Sequence, residues 1–309
     1  MVGARYAAVI GECLLLGLLA GAPVAALAQG IAVGGASAPS AGAAAPAAGP
    51  GVGPGALIES LNRAVDRAIA GTEALAGVNT LIAPSAPPKP APVVVELFTS
   101  QGCSACPPAD ALLAQVAQRP DVVALSLHVD YWDYLGWEDP FAQPAFTARQ
   151  KAYTRAAGER TLYTPQVIVG GEASLTAPAP ATLDAVIAQE AAVAPRVSIA
   201  VSEGEGSGQY VIDLAPLARP LERPSVVQIV RYVPSAQVEI LRGENAGKVL
   251  DFANVVTAWH AVAEWDGQVP LRLNAKIDGT EPAVVIVQTA LPGKTAPLPG
   301  PILSAAWLR

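Results

Sequence analysis

The sequence predicts an α/β domain followed by a mainly antiparallel β domain. Two observations predict this order. From residue 92 to about residue 195, apolar runs typical of buried strands alternate with helical patterns. From residue 196 to residue 309, short β-rich runs follow one another without helical periodicity, separated by turn-rich pieces. Because strands of this kind pack in two layers, a sandwich-like arrangement is expected for the second domain.

The first 28 residues have the features of a secretory signal peptide. Arg5 supplies a positive charge, an apolar stretch follows, and Ala26 and Ala28 are the small residues that signal peptidase requires. Glu12 and Pro23 interrupt the apolar stretch, whereas a membrane span needs about 20 predominantly apolar residues. The sequence therefore predicts a periplasmic or secreted protein, with membrane association only if the signal stays uncleaved.

Residues 29–91 are predicted to be a linker. Most of this stretch is rich in alanine, glycine and proline, so it offers few large side chains for a core. Near residues 56–70, apolar residues recur at helical spacing, and Glu59 forms a favourable pair with Arg63 one turn later. One amphipathic helix is expected there, and its mixed charges favour packing on protein over binding to a membrane.

Charge and cysteine content limit the partners. The formal net charge is -7, so nucleic acid and anionic lipid are not expected partners. The chain has three cysteines, and Cys13 lies in the predicted signal. Only Cys103 and Cys106 would remain after export, in a compartment where disulfides persist. Two cysteines are too few for a disulfide framework, so the pair needs another role.

The elements of the first domain follow from local patterns. The expected order is a strand over residues 93–98, a helix over 108–118, a strand over 122–128, a helix over 144–157, a hairpin over 166–169 and 173–176, and a helix over 181–192. This is the order of a thioredoxin fold. Thr164 and Pro165 stand before the hairpin, where that fold places a proline loop facing the cysteines.

The second domain is predicted to contain short strands over residues 197–202, 209–214, 226–233, 237–241, 269–273 and 283–288. Between two of these strands, the stretch that begins at Gly243 looks like a phosphate-binding loop. Its glycines are one residue too close, and no serine or threonine follows Lys248. A hairpin loop with glycines in left-handed conformations is expected instead.

Four motifs in order resemble the secreted bacterial family called domain of unknown function 1223. They are Phe98-Thr99-Ser100-Gln101-Gly102-Cys103-Ser104-Ala105-Cys106-Pro107-Pro108-Ala109-Asp110, His128-Val129-Asp130-Tyr131-Trp132-Asp133-Tyr134-Leu135-Gly136-Trp137, Tyr163-Thr164-Pro165-Gln166 and Gly243-Glu244-Asn245. The resemblance covers residues 92–309. It implies a thioredoxin-like domain joined to a β domain, with no established activity.

The spacing of Cys103 and Cys106 at the start of a helix predicts a redox pair. Unpaired N–H groups and the helix dipole stabilise a thiolate, so Cys103 is the candidate nucleophile and Cys106 the resolving thiol. A static disulfide and a zinc site are the alternatives. A loop this short adds little stability, and a cysteine-only zinc site needs a second pair. Glu96, if buried, is the candidate general base, and a carboxylate at a polar strand edge is the alternative.

Other side chains are candidates for substrate or metal binding. Thr164 and Pro165 would present backbone to an extended substrate. Tyr131 and Trp132 would form an apolar wall beside the cysteines, although the same rings would equally suit a local core. His128 would complete a copper site with the two cysteines, or would pack as a hydrogen-bonded core residue.

These features together predict an exported thiol-disulfide oxidoreductase that acts on protein or small thiol substrates. Its redox-active disulfide needs no cofactor. Two alternatives stay open: a non-enzymatic binding module with an inert disulfide, and a copper-handling protein. The Ser104-Ala105 dipeptide between the cysteines does not indicate the direction of electron flow.

Overall fold

The structure is a computed structural model that describes residues 91–309. The predicted signal peptide and the predicted helix near residues 56–70 lie outside the described residues. Within the described part, no helix combines the length and the apolar character that crossing a membrane requires.

The described chain folds into a mixed α/β structure. Its strands are β1 (Val93–Thr99), β2 (Val122–His128), β3 (Gln166–Val169), β4 (Ala173–Thr176), β5 (Val197–Glu203), β6 (Gln209–Pro216), β7 (Ser225–Glu239), β8 (Val249–Trp265), β9 (Leu271–Lys276), β10 (Ala283–Leu291) and β11 (Leu298–Trp307). Its helices are α1 (Pro107–Val116), α2 (Pro144–Ala156) and α3 (Pro180–Ala191). One 3-10 turn covers Asp133–Leu135.

A large, mostly antiparallel sheet runs across the domain boundary expected at residue 195. Its order is β11-β10-β7-β8-β2-β1-β3-β4. β1 and β2 are parallel, and β2 meets β8 at the pair Ser126 and Val255. The predicted division into an α/β domain and a β domain therefore does not divide this sheet. Local patterns indicate strands, but they do not indicate that β8 pairs with the free edge of β2.

A second sheet of three strands, in the order β5-β6-β9, packs on one face of the large sheet. Ile212 and Leu214 of β6 share a buried cluster with Val227 of β7 and Val285 of β10. Each of these four side chains is at most 1% exposed. The C-terminal part therefore has two packed layers of strands.

β1 supplies side chains to two different cores. Val95 and Leu97 pack in one cluster with Leu113 of α1. Phe98 lies in another cluster with Phe146 of α2. Because successive strand residues point to opposite faces, α1 and α2 cover opposite faces of β1. This placement decides which polar residues of β1 can reach the cysteines.

Candidate functional site

Cys103 and Cys106 form a disulfide between the end of β1 and the start of α1, with their Cα atoms 5.4 Å apart. Helix α1 begins at Pro107, and Cys106 is its N-cap residue. The N–H groups of Ala109 and Asp110 donate to the carbonyl of Cys106. Cys103 therefore lies in the turn before the helix, and both sulfurs are at its N-terminal end.

The disulfide is buried. Cys103 is 1% exposed and Cys106 is fully buried. The sulfurs belong to a segment that we call the cysteine loop, residues 100–106. Other segments of the described chain surround this loop: residues 131–139 contact it directly, the Thr164–Pro165 pair is linked to it through Trp132, and the loop of residues 243–248 contacts it directly. The site is thus closed in this oxidised form.

Asn245 holds the third of these segments on the cysteine loop. Its side-chain Nδ2 donates to the carbonyls of Gln101 at 2.9 Å and Cys103 at 3.0 Å. Lys248 Nζ donates to the side-chain Oδ1 of Asn245 at 2.8 Å. Gly243 and Gly247 have positive φ angles, so the predicted hairpin loop with left-handed glycines is confirmed.

Trp132 joins the cysteine loop to the proline loop. Its Nε1–H donates to Thr164 Oγ1 at 2.8 Å, and the Thr164–Pro165 peptide bond is cis. A Cβ atom on Gly102 would lie 3.2 Å from the Cβ of Trp132, so glycine allows this close approach. The neighbouring Tyr131 belongs to the same aromatic segment, and burial raises the pKa of its hydroxyl.

Asp139 is a buried carboxylate that links His128 to the cysteine loop. Its Oδ2 accepts hydrogen bonds from His128 Nδ1 at 2.7 Å and from the Gln101 N–H at 2.8 Å. Its Oδ1 accepts from the Phe141 N–H at 2.9 Å. His128 Nε2 is buried and has no hydrogen-bond partner among the described residues.

Asp110 is a second buried carboxyl group, in the first turn of α1. The residue is 5% exposed, and its Oδ1 has no hydrogen-bond partner among residues 91–309. Burial raises the pKa of Asp110 to about 7, His128 and Thr99 oppose this increase, and Asp139 adds to it. A carboxyl group with this pKa can hold or release a proton near neutral pH.

Glu96 is buried as expected, but it does not face the disulfide. Its carboxylate accepts hydrogen bonds from Arg149 Nε at 2.6 Å and from the Tyr153 hydroxyl at 2.6 Å. Arg149 and Tyr153 belong to α2, whereas the cysteines precede α1 on the other face of β1. The predicted role of Glu96 as the base for the cysteines therefore has no support in its position, because strand alternation turns it to the other face.

The described residues contain no group of three or more histidine, cysteine, aspartate or glutamate side chains placed to hold a metal ion. His128 uses Nδ1 for Asp139, and Cys103 is joined to Cys106. The ligand set of the copper hypothesis is thus not assembled in this oxidised form.

Sequence reasoning missed the connecting roles of Gln101, Asp110, Asp139 and Asn245. Gln101 is fully buried; its N–H donates to Asp139, its carbonyl accepts from Asn245, and its Oε1 accepts from Trp137 Nε1 at 2.9 Å. One signal was available for Asp110, since it stands one helical turn after Cys106 in an apolar helix. The other roles depend on contacts between distant segments.

Comparison with known proteins gives a family and a fold. The family model described as "Protein of unknown function (DUF1223)" matches residues 94–288. The X-ray crystal structure of a structural-genomics target from Agrobacterium tumefaciens is 30% identical, with a TM-score of 0.59, over 71% of this chain and 95% of that one. HBP35 of Porphyromonas gingivalis is 15% identical, with a TM-score of 0.50, over 70% of this chain and 74% of that one. The second likeness concerns the fold alone. No curated protein matches the chain.

Proposed function

Because the chain belongs to the DUF1223 family, whose function is unknown, its activity must be inferred from its own residues, and we propose that it is an exported thiol-disulfide oxidoreductase. One observation carries this proposal. The Cys103–Cys106 disulfide lies between the end of β1 and the start of α1, beside a proline loop that Trp132 ties to it. In this proposal the α/β part, residues 92–195, is a thioredoxin-like unit.

A purely structural role explains the disulfide poorly. A bridge across three positions closes a very small loop, and loops this short gain little from chain entropy. The cysteine loop is also held by hydrogen bonds from Asn245 and to Asp139. Since those contacts already fix the loop, a reversible role accounts for the disulfide better than a stabilising one.

The reaction is an exchange between the disulfide and a substrate dithiol. A substrate thiolate attacks Sγ of Cys103, the bond to Cys106 breaks, and Cys106 leaves as a thiolate that takes up a proton. The second substrate thiol loses its proton and attacks the substrate sulfur of the mixed disulfide, which releases Cys103 as a thiolate. The substrate becomes a disulfide, and its two electrons reside on the cysteine pair. The same steps in reverse reduce a substrate disulfide.

Substrate access requires movement, because Cys103 is 1% exposed. The loop of residues 243–248 is the segment whose displacement uncovers the cysteine loop, since Asn245 bonds directly to Cys103. Thr164 and Pro165 then pair with an extended substrate by backbone hydrogen bonds. Tyr134 is 82% exposed beside this site and offers an apolar contact for a polypeptide.

Trapping of mixed disulfides tests the proposal. Cys106→Ser protein, incubated with an extract of its own compartment, is expected to accumulate mixed disulfides through Cys103, because no resolving thiol is present. Cys103→Ser protein is the matched control and should trap far less. A Cys106→Ser protein that traps no more than the control would overturn the proposal.

The burial of both sulfurs favours a second candidate function. A binding module with an inert disulfide would also keep Cys103 and Cys106 away from solvent. The two functions differ in the reduction potential of the pair. Structural disulfides have potentials below about -300 mV, whereas redox enzymes span roughly -120 to -270 mV.

A further inference from the structure

We propose that Asp110 is the proton donor and acceptor for Cys106 during disulfide exchange, and that His128 and Asp139 are positioning residues that act through Asp110. This inference rests on the proposed function. Asp110, in helix α1, then takes the proton-transfer role that was predicted for Glu96, whose side chain points to the opposite face of β1.

The burial of Cys106 creates the need for such a group. The residue has no exposed surface, so its sulfur cannot exchange a proton directly with bulk water in this conformation. A thiolate in a buried, weakly polar environment is costly, because burial disfavours the charged form. A neighbouring buried carboxyl group that supplies the proton as the Cys103–Cys106 bond breaks moves this charge from the sulfur to a carboxylate.

Asp110 has the position that this role requires. It stands four residues after Cys106, and its N–H donates to the Cys106 carbonyl at 3.1 Å. Residues four apart lie on the same face of a helix. The carboxyl group is almost fully buried, and its Oδ1 is unpartnered among the described residues, so it is free to exchange a proton.

His128 ends β2, in register with Thr99 of β1, and its imidazole is held in a fixed orientation. Its Nδ1–H donates to Asp139, and the rings of Phe141 and Phe252 pack edge-on against it at centroid distances of 5.3 and 4.9 Å. This arrangement leaves Nε2 as the free nitrogen of the ring. Asp139 in turn accepts hydrogen bonds from the N–H groups of Gln101 and Phe141.

Three neighbours change the pKa of the Asp110 carboxyl group. His128, from β2, and Thr99, from β1, lower the pKa of Asp110, whereas Asp139, from the segment before α2, raises it. Burial is the largest cause, and the result is a pKa of about 7. At neutral pH both forms of Asp110 are therefore populated, which suits a group that must both give and take a proton.

The proton balance completes the exchange described above. When a substrate thiolate attacks Cys103, the neutral Asp110 carboxyl gives its proton to the departing Cys106 thiolate and becomes a carboxylate. In the reverse direction the Asp110 carboxylate takes the proton from the Cys106 thiol. The Cys106 sulfur then attacks Cys103 and expels the substrate thiolate. No electrons pass through Asp110.

The test is the rate at which Cys106 resolves a defined mixed disulfide. Reduced protein is mixed with glutathione disulfide: Cys103 attacks, one glutathione leaves, and resolution releases the second. The rate at which the second glutathione is released is followed from pH 5.5 to pH 9.

The wild-type rate of this release should rise through the pH at which Asp110 ionises. Asp110→Asn should be slower by roughly 10²- to 10⁴-fold, the usual contribution of a general base, and should lose this rise. Asp121→Asn, an exposed carboxylate paired with Arg119, is the control.

Two further variants separate this role from a merely structural one. His128→Gln should move the rise to higher pH, because His128 lowers the pKa of Asp110. Asp139→Asn should move it to lower pH, because Asp139 raises that pKa. Shifts in these opposite directions do not follow from a general loss of packing.

The outcomes distinguish the two proposals. If reduced wild-type protein does not react with glutathione disulfide, the proposed function fails and the role of Asp110 fails with it. If it reacts, and Asp110→Asn resolves at the wild-type rate with the wild-type pH profile, only the role of Asp110 is overturned. Unshifted profiles in the His128 and Asp139 variants would overturn their positioning role alone.

Discussion

Asn245 donates a hydrogen bond to the carbonyl of Cys103 at 3.0 Å, although 142 positions separate the two residues. This bond joins the loop after β7 to the loop that follows β1. Asn245 is fully buried at this contact, so both loops exclude water from the disulfide. The contact places the Gly243-Glu244-Asn245 motif directly on the cysteine motif.

Replacing Asn245 by alanine is expected to open the site. The substitution removes two hydrogen bonds and leaves the carbonyl of Gln101 unpaired, while the Cys103 carbonyl keeps its bond from the Cys106 N–H, at a cost of about 1–3 kcal/mol. If that energy holds the loop closed, dithiothreitol should reduce the disulfide roughly 10- to 100-fold faster, measured under native conditions. Glu244→Ala, at the exposed neighbouring position, is the control. Equal rates for both variants would show that Asn245 does not gate access.

The buried pair of Glu96 and Arg149 is expected to support the fold without affecting the redox chemistry. Glu96→Gln leaves the guanidinium, 12% exposed, without its counter-charge and should lower the free energy of unfolding by about 3 kcal/mol. The reduction potential should stay unchanged, because the pair lies on the face of β1 opposite α1. Urea titration and a redox equilibrium measure the two quantities. A large change in potential would contradict the assignment of faces.

An exposed ion pair provides the comparison for that experiment. Arg272 and Asp213 bond across β9 and β6, and the Arg272 side chain is 61% exposed. Asp213→Asn should change the stability by less than about 1 kcal/mol.

The strands and α-helices up to residue 195 were predicted to within two residues, because their patterns are local. β2 covers the range that its apolar run predicted, and α2 begins at Pro144, which suits a first helical turn. The 17-residue strand β8 was missed because its buried and exposed residues do not alternate regularly. β7 was predicted as two strands, over residues 226–233 and 237–241. Pro234 stands between them, beyond the part of β7 that pairs with β10, where a strand tolerates a proline.

The candidate site was predictable only in part. The spacing of Cys103 and Cys106 indicated the disulfide directly. Glu96 was assigned by its apolar context, but no local signal indicated that α1 packs on the opposite face of β1. Asp139 and Asn245 both contact the cysteine loop, but they are far from it in the sequence. Local sequence patterns do not indicate contacts between such distant segments.

Asp110 is expected to make stability depend on pH. Its folded-state pKa of about 7 lies above the ordinary value of 3.8, so the folded protein binds more protons than the unfolded chain between these values. The contribution of Asp110 to the free energy of unfolding should therefore be fully present below about pH 4 and should be lost as the pH rises to about 7. The loss should be roughly 4 kcal/mol at most. Asp110→Asn should remove this loss and be more stable than wild type at pH 8. Parallel pH profiles of unfolding for the two proteins would contradict the assignment.

Trp132→Phe is expected to weaken substrate binding selectively. The substitution keeps an aromatic ring but removes the hydrogen bond from Nε1 to Thr164, which stabilises the proline loop by about 1 kcal/mol. The KM for a reduced, unfolded protein should rise several-fold while kcat stays near the wild-type value, because in the proposed function the proline loop binds substrate and the cysteines carry out the exchange. Trp307→Phe, near the C-terminus and 39% exposed, is the control. A fall in kcat with an unchanged KM would argue against a binding role.

The reduction potential of the Cys103–Cys106 pair is the measurement that bears most directly on the proposed function. Equilibration with glutathione or dithiothreitol redox buffers at pH 7, followed by thiol alkylation, gives the fraction reduced at each buffer potential. A thiol-disulfide oxidoreductase should titrate between about -120 and -270 mV. A potential below about -300 mV would contradict that function and identify the disulfide as structural.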